Sequence, residues 1–379
     1  MGPIQMVDLK SQYHRIKDQV DKAVIDVLES SAFINGKPVQ DFAVSLSAYL
    51  GVKHVIPCAN GTDALQIAMM ALGLKPGDEV ITPSFTYIAT TEVVALLNLK
   101  PVFAEVDPVT FCIDPASIRK LITPKTKAIV PVHLYGQAAD MEEIMKIANE
   151  FNLFVIEDNA QAIGAEYIFS DGSRKKTGSI GHVGATSFFP SKNLGCYGDG
   201  GAIFTNDDTL ADVMRKVANH GQSVRYYHDI VGCNSRLDTL QAAILNIKLP
   251  LLDQYISARQ NAAAYYNRAF SGNAKITTPA TASYSTHVFH QYTLVLEGVD
   301  RNALNKYLAE QHIPSMIYYP VPAHKQKMFL GFSDGTENLP VTDWLTERVI
   351  SLPMHTELDE QQLEYISAHL LNFIGNHTL

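Results

Sequence analysis

Short apolar runs recur through the first half of the chain, each followed by a stretch with helical spacing. Residues 54–58 form one run, after which Asn60-Gly61-Thr62-Asp63 opens a helix through residues 64–72. The turn Pro76-Gly77-Asp78 precedes a strand at 79–82, and 101–106 reads as another. The wholly apolar run 128–132 leads to a helix near 141–149, and 153–156 is a buried strand that ends in Glu157-Asp158. Strand–helix alternation of this kind defines an α/β domain with a mostly parallel sheet. Such sheets bind ligands beyond the carboxyl ends of their strands. Chemistry is therefore expected where the apolar runs stop.

The chain is long for one core. With 379 residues, two domains are the expectation. An amphipathic helix is expected over 14–31, with Ile16, Val20, Ala23, Val24 and Val27 on one face. Residues 237–270 are helical in composition but interrupted at Pro250, and read as a connector. Beyond it, 291–296 and 316–319 look strand-like, and 301–311 and 361–373 helical. This predicts a large domain over 1–250 and a smaller α+β domain over 251–379. The net charge of −9 argues against a nucleic-acid or membrane-surface role. No apolar run is long enough to span a bilayer, and no signal peptide is evident. Four cysteines without CxxC spacing fit reduced thiols in a cytoplasm. Thirteen histidines show no metal-binding spacing, so no metal is expected. GxSxG, P-loop and GxGxxG motifs are absent, which disfavours a serine hydrolase or a nicotinamide enzyme.

Lys192 stands apart. It lies in Thr186-Ser-Phe-Phe-Pro-Ser-Lys-Asn-Leu-Gly-Cys-Tyr-Gly-Asp-Gly-Gly-Ala202, after a strand-like entry and before four glycines. A surface lysine needs no such backbone freedom. A lysine forming a Schiff base in a crowded pocket does. Asp158 ends an apolar strand, where a carboxylate must be paired. It either caps the next helix or holds a pyridinium nitrogen protonated, as pyridoxal phosphate requires. Gln161 can reach the same ring's hydroxyl if a helical turn follows. Gly61 and Thr62 read as an ordinary capped turn or as a phosphate site at a helix N-terminus. Ser187 is either a buried strand serine or a further phosphate ligand. Tyr87, in Pro83-Ser-Phe-Thr-Tyr-Ile-Ala-Thr90, is either core or a ring-stacking aromatic. Asn234 and Arg236 project together if their segment is extended. Arg236 then suits a carboxylate or phosphate, or an interface ion pair.

In order, Asn60-Gly-Thr-Asp-Ala-Leu65, Glu157-Asp-Asn-Ala-Gln161, Ser187-Phe-Phe-Pro-Ser-Lys192 and Asn234-Ser-Arg236 resemble the motifs of the DegT/DnrJ/EryC1/StrS sugar aminotransferases. The resemblance spans nearly the whole chain. It implies the aspartate-aminotransferase fold (fold type I), pyridoxal 5′-phosphate as cofactor and a homodimer with shared active sites. It also implies roles. Lys192 is the Schiff-base lysine and proton shuttle, Asp158 the ring-nitrogen partner and Gln161 the O3′ contact. Gly61, Thr62 and Ser187 hold phosphate, Tyr87 stacks on the ring, and Asn234 reaches the neighbouring subunit's cofactor phosphate. Asn159 departs from the usual alanine. Dehydratases of the family carry histidine at the lysine's place, so Lys192 points to transamination. The likeness is nearest to 3-aminotransferases acting on UDP-2-acetamido-2-deoxy-3-keto-glucuronic acid. In that group the arginine matching Arg236 meets the sugar's 6-carboxylate, and Tyr319 of Tyr318-Tyr-Pro320 becomes a sugar contact. The implied reaction moves nitrogen from L-glutamate, releasing 2-oxoglutarate, to a UDP- or dTDP-linked keto sugar destined for a surface polysaccharide. A 3- or 4-aminotransferase of keto-6-deoxy sugars is the rival within the family. A regulatory protein without catalysis is the rival outside it.

Overall fold

A computed structural model describes residues 2–332 and 337–376. In chain order the elements begin with α1 (Leu9–Ser30), α2 (Lys37–Leu50), β1 (His54–Cys58), α3 (Gly61–Ala71), β2 (Glu79–Pro83), α4 (Ala89–Leu96) and β3 (Lys100–Ala104). There follow α5 (Pro115–Leu121), β4 (Thr126–Ile129), α6 (Met141–Phe151), β5 (Phe154–Asp158), a hairpin of β6 (Glu166–Ile168) and β7 (Arg174–Lys176), β8 (Val183–Ser187) and β9 (Gly201–Thr205). Then come α7 (Asp208–Ala218), a short hairpin of β10 (Gln222–Val224) and β11 (Tyr227–His228), α8 (Thr239–Lys248) and α9 (Leu252–Phe270). The C-terminal part holds β12 (Ile276–Thr277), β13 (Tyr292–Leu296), α10 (Arg301–Glu310), α11 (Pro340–Arg348), β14 (Val349–Leu352) and α12 (Glu360–Asn376).

Seven strands form the main sheet in the order β1-β9-β8-β5-β4-β2-β3. β9 runs against both of its neighbours and every other pairing is parallel. Successive strand residues face opposite layers, as a pleated strand requires. Val80, Ala128, Ile156 and Ile203 pack with α3, α4 and α7 on one face. Ile81, Ile129 and Val155 pack with α5 and α6 on the other. On that second face Phe204 joins Phe42 and Leu46 of α2 and Ala242 and Leu245 of α8. Covering on both faces explains why these strands read as continuous apolar runs.

A three-stranded antiparallel sheet, β12-β13-β14, builds a further core with α9, α10 and α12. Tyr266, Tyr292, Leu304, Ile350 and Leu370 fill it, and Ile4 from the start of the chain packs there too. α8 and α9 are separated by a short 3-10 turn, Leu249–Leu251, at Pro250. Two local expectations fail. Residues 316–319 are not a strand, because Met316 makes a lone bridge to Ser351. Pro314 and Pro320 bound the segment on both sides and keep the pairing from extending beyond that bridge. The strand expected over 128–132 stops at Ile129, before Pro131. α1 starts earlier than its apolar stripe, since the Asp8 side chain accepts from the Ser11 amide and caps it.

Candidate active site

β1, β2, β5 and β8 end at the same edge of the sheet, and a cavity of about 590 Å³ opens there. Its walls include Gly61 and Thr62 after β1, Tyr87 after β2, Asp158 and Gln161 at the end of β5, and Ser187 and Lys192 at the end of β8. His290, Gln291, Tyr318 and Tyr319 close it from the C-terminal part.

Lys192 leaves a tightly folded loop. Its amide donates to the Phe189 carbonyl at 2.8 Å, while the Phe188 and Cys196 amides close the loop on the Gly200 and Phe188 carbonyls. A Cβ on Gly195 would lie 2.2 Å from the Pro190 carbonyl oxygen, so glycine is required there. Although the residue lines the cavity, burial of its ammonium pushes the pKa down from 10.5 to about 8, against an upward pull from Asp158. A neutral, nucleophilic amine is thereby accessible near neutral pH.

Asp158 is buried and held on both oxygens. Oδ2 accepts from the Thr90 hydroxyl at 2.7 Å and Oδ1 from the Ala160 amide at 3.1 Å. The second bond turns the chain sharply. The segment after β5 is a turn and not a helix, so Asp158 caps no helix and Gln161 sits on no helical face. Gln161 faces the cavity by another route. Its Oε1 accepts from the Tyr135 amide at 2.8 Å, and its Nε2 donates to the Tyr319 hydroxyl at 2.9 Å. Behind this corner lies a buried pair. Glu157 accepts from His133 Nε2 at 2.8 Å and from the amides of Gly178, Ile180 and Gly181. The Ala139 amide donates to His133 Nδ1, so the ring's proton is on Nε2. Burial alone would raise the Glu157 pKa, but these donors hold it below the usual value.

At the other end of the cavity, the Asn60 side chain caps α3 by accepting from the Asp63 amide at 2.8 Å. A Cβ on Gly61 would lie 2.7 Å from Ser187 Cβ, and one on Gly201 would lie 2.4 Å from the Asn60 carbonyl. Glycines thus let the first turn of α3 press against β8 and β9. The amides of that turn and the Ser187 hydroxyl border one space. Tyr87 is 55% exposed, with its ring 6.3 Å from that of Tyr319.

Asn234 and Arg236 lie outside the cavity lining. Asn234 is exposed and bridges Asn219, while Arg236 Nε is buried without a hydrogen-bond partner among the described residues. Thr90 and His290 were not singled out from sequence. The Thr86–Thr90 spacing of one helical turn was a signal for the first. Nothing local marks His290.

A buried carboxylate, a depressed lysine and a helix N-terminus converging on one cavity in this fold are those of an aminotransferase. Residues 14–371 match the model of the DegT/DnrJ/EryC1/StrS aminotransferase family. The chain is 47% identical over 369 residues to the UDP-2-acetamido-2-deoxy-3-oxo-D-glucuronate aminotransferase of Pseudomonas aeruginosa, across 97% of this chain and 100% of that protein. It is 44% identical to the UDP-N-acetyl-3-dehydro-alpha-D-glucosamine 3-aminotransferase of Acidithiobacillus ferrooxidans, over 96% of each chain. It is also 46% identical, over 98% of each, to a Geobacillus stearothermophilus protein named a pleiotropic regulatory protein. DesV of S. venezuelae, solved in complex with a ketimine intermediate, superposes with a TM-score of 0.93 at 37% identity over 98% of both chains. NtdA of Bacillus subtilis, solved with bound cofactor PMP, gives 0.87 at 32% identity over 94% of this chain and 82% of that one. The chain belongs to the DegT/DnrJ/EryC1/StrS aminotransferase family. It is a transaminase.

Proposed function

We propose that the chain is a pyridoxal-5′-phosphate-dependent aminotransferase that carries nitrogen from L-glutamate to C3 of a UDP-linked 3-keto sugar. The sugar is UDP-2-acetamido-2-deoxy-3-keto-glucuronic acid. One observation carries the catalytic reading: the Lys192 amine and the Asp158 carboxylate open on the same cavity as the N-terminus of α3. The residues fit the cofactor. The close approach at Gly61 leaves the first amides of α3 and the Ser187 hydroxyl for a phosphate, and Asp158 is anchored by the Thr90 hydroxyl and the Ala160 amide. When bound, the cofactor supplies an electron sink for the carbanion formed at the amino-acid Cα. Lys192, with its depressed pKa, takes a proton from that carbon and returns one to the sugar's C3. With the cofactor bound, Asp158 would keep the ring nitrogen protonated, Gln161 would meet the ring hydroxyl, Tyr87 would cover the ring and Tyr319 would meet the sugar.

A second copy of the chain completes the site. Among the described residues lining the cavity, Lys192 is the one Lys or Arg, yet every substrate is anionic. Asn234 and Arg236 lie outside their own chain's cavity, and Val224, Tyr226 and Tyr227 of the nearby β10–β11 hairpin and Val231 just after it expose apolar surface. In the homodimer Asn234 serves the partner's phosphate site and Arg236 the sugar's 6-carboxylate. Residues 1–250 and 251–379 act as the two domains enclosing the substrate. The four free thiols suit the cytoplasm.

Two substitutions and a substrate panel test the reading. Lys192→Ala is expected to abolish turnover and the visible absorbance of the cofactor-loaded protein; retained steady-state transfer removes the assignment. Arg236→Ala is expected to harm a uronic-acid substrate far more than its 6-hydroxyl analogue; equal losses remove the carboxylate role. NMR of the products from a keto-sugar panel locates the new amine, and nitrogen at C4 selects the alternative sugar class. A colourless protein that the cofactor cannot reconstitute would instead favour a regulatory role, the description attached to the Geobacillus relative.

A further inference from the structure

The loop that carries Lys192 rests on helix α8. Gln241 and Lys248 are two turns apart on that helix and so share a face. Gln241 grips Tyr197 from both sides, with the Tyr197 amide donating to its Oε1 at 2.8 Å and its Nε2 donating to the Tyr197 carbonyl at 3.3 Å. Lys248 reaches further into the loop. Its Nζ donates to the Gly195 carbonyl at 2.5 Å and lies 4.8 Å from the centroid of the Tyr197 ring. On the opposite side Asn193 donates to the Val288 carbonyl at 3.0 Å. The lysine loop is therefore held between α8 and the wall that bears His290.

Lys248 is an odd choice for a merely structural contact. It is 1% exposed, and among the described residues no carboxylate pairs with it. A buried cation with one carbonyl and one ring face as partners is strongly disfavoured relative to an apolar side chain of similar volume. Its partner carbonyl belongs to Gly195, three residues beyond Lys192 and the position where the loop pinches against Pro190.

We propose that Lys248 is a positioning residue whose ammonium, by fixing the Gly195 carbonyl, sets the depth at which the Lys192 amine sits in the cavity. The proposal rests on Lys192 being the reacting amine. The Lys192 amine responds to burial and to the Asp158 carboxylate, and His290, kept neutral by burial, faces it from the C-terminal part. Loss of the Lys248 charge would raise the Lys192 midpoint by removing a like charge as well, so geometry is read from the limiting acylation rate above both amine pKa values, where exposure alone differs.

The test uses the full-length, cofactor-free protein and an amine-directed acylating reagent, acetic anhydride. Acylation of the Lys192 peptide is followed by mass spectrometry across pH, with exposed Lys22 as the internal control. The wild-type midpoint is expected at about 8. Lys248→Met and Lys248→Gln are each expected to raise it by about one unit or more, and to raise the limiting rate as the amine gains water. Lys248→Arg, which keeps a charged donor, is expected to restore both. A folded neutral variant with the wild-type limiting rate overturns the proposal. Failure of both neutral variants to fold assigns Lys248 to core stability and overturns it equally. Retained transamination by Lys192→Ala removes the reading of the lysine, while the limiting rates still decide whether Lys248 sets its depth.

Discussion

Replacing Thr90 by valine tests whether Asp158 works as an anchored carboxylate. Valine keeps the volume of threonine but exchanges the hydroxyl for a methyl, so packing on α4 is little disturbed. Asp158 Oδ2 loses a donor at 2.7 Å on a largely buried carboxylate, while Oδ1 keeps only the Ala160 amide at 3.1 Å. A hydrogen bond to a charged group contributes about 1.5–3 kcal/mol, and each 1.4 kcal/mol is about tenfold in an equilibrium or rate constant. If the oriented anion is needed throughout the reaction, kcat/KM for both substrates should fall about ten- to hundredfold. Thr90→Ser, which keeps the hydroxyl, should recover most of that loss. Initial rates with glutamate and the keto sugar measure the effect, and thermal unfolding of the cofactor-free proteins separates it from loss of fold. A valine variant within about threefold of wild type, with unchanged unfolding, would refute the reasoning. The Thr90 bond would then be a packing detail, and Asp158 would owe its orientation to the turn alone.

Gly61→Ala should destabilise the protein by about 1–3 kcal/mol and weaken phosphate-containing ligands, because its Cβ meets Ser187 Cβ at 2.7 Å; thermal unfolding and cofactor titration check both. Glu157→Leu leaves His133 and three backbone amides without their acceptor, and a loss of about 3–5 kcal/mol is expected in denaturant unfolding. The pH dependence of stability carries a definite sign. Lys192 and Lys248 both titrate near 8 in the folded chain against 10.5 when unfolded, so the unfolded state binds more protons between those values. Stability of the cofactor-free protein should therefore rise as pH climbs from 8 towards 10.5, and Lys192→Ala should flatten that rise in calorimetry.

Much of this was legible because buried parallel strands announce themselves. Runs ending in Cys58, Pro83 and Asp158 are apolar on both faces, and the residues that follow them line the cavity. The Gly-rich setting of Lys192 was legible for a related reason, since Gly195 and Gly201 permit approaches that a Cβ would block. Contacts fixed only by tertiary packing were not. Thr90 touches Asp158 across 68 residues, Gln161 meets Tyr319 across 158, and His290 arrives from the C-terminal part. The periodicity of a strand or helix says which face is buried, and cannot say which distant side chain it meets. The apolar and aromatic segment 316–319 misled for a local reason: bounded by Pro314 and Pro320, it is too short to extend past one bridge to Ser351.

Asn234 and Arg236 show a further limit, which lies in the single chain itself. The family resemblance implies a role for both, yet neither lines its own chain's cavity. The Arg236 Nε has no hydrogen-bond partner among the described residues and is closed off within its own chain, so a second chain could meet only the outer guanidinium nitrogens. The exposed aromatics of the β10–β11 hairpin pose the same question, since large apolar side chains on an isolated arm have no reason to face water. One arrangement answers both, in which a second chain covers the hairpin and receives Arg236 at its cavity. Specificity for the sugar's carboxylate would then be a property of the assembly, and the proton transfer proposed for Lys192 a property of each chain. Dilution to the monomer should accordingly abolish uronic-acid turnover before it alters the acylation midpoint of Lys192.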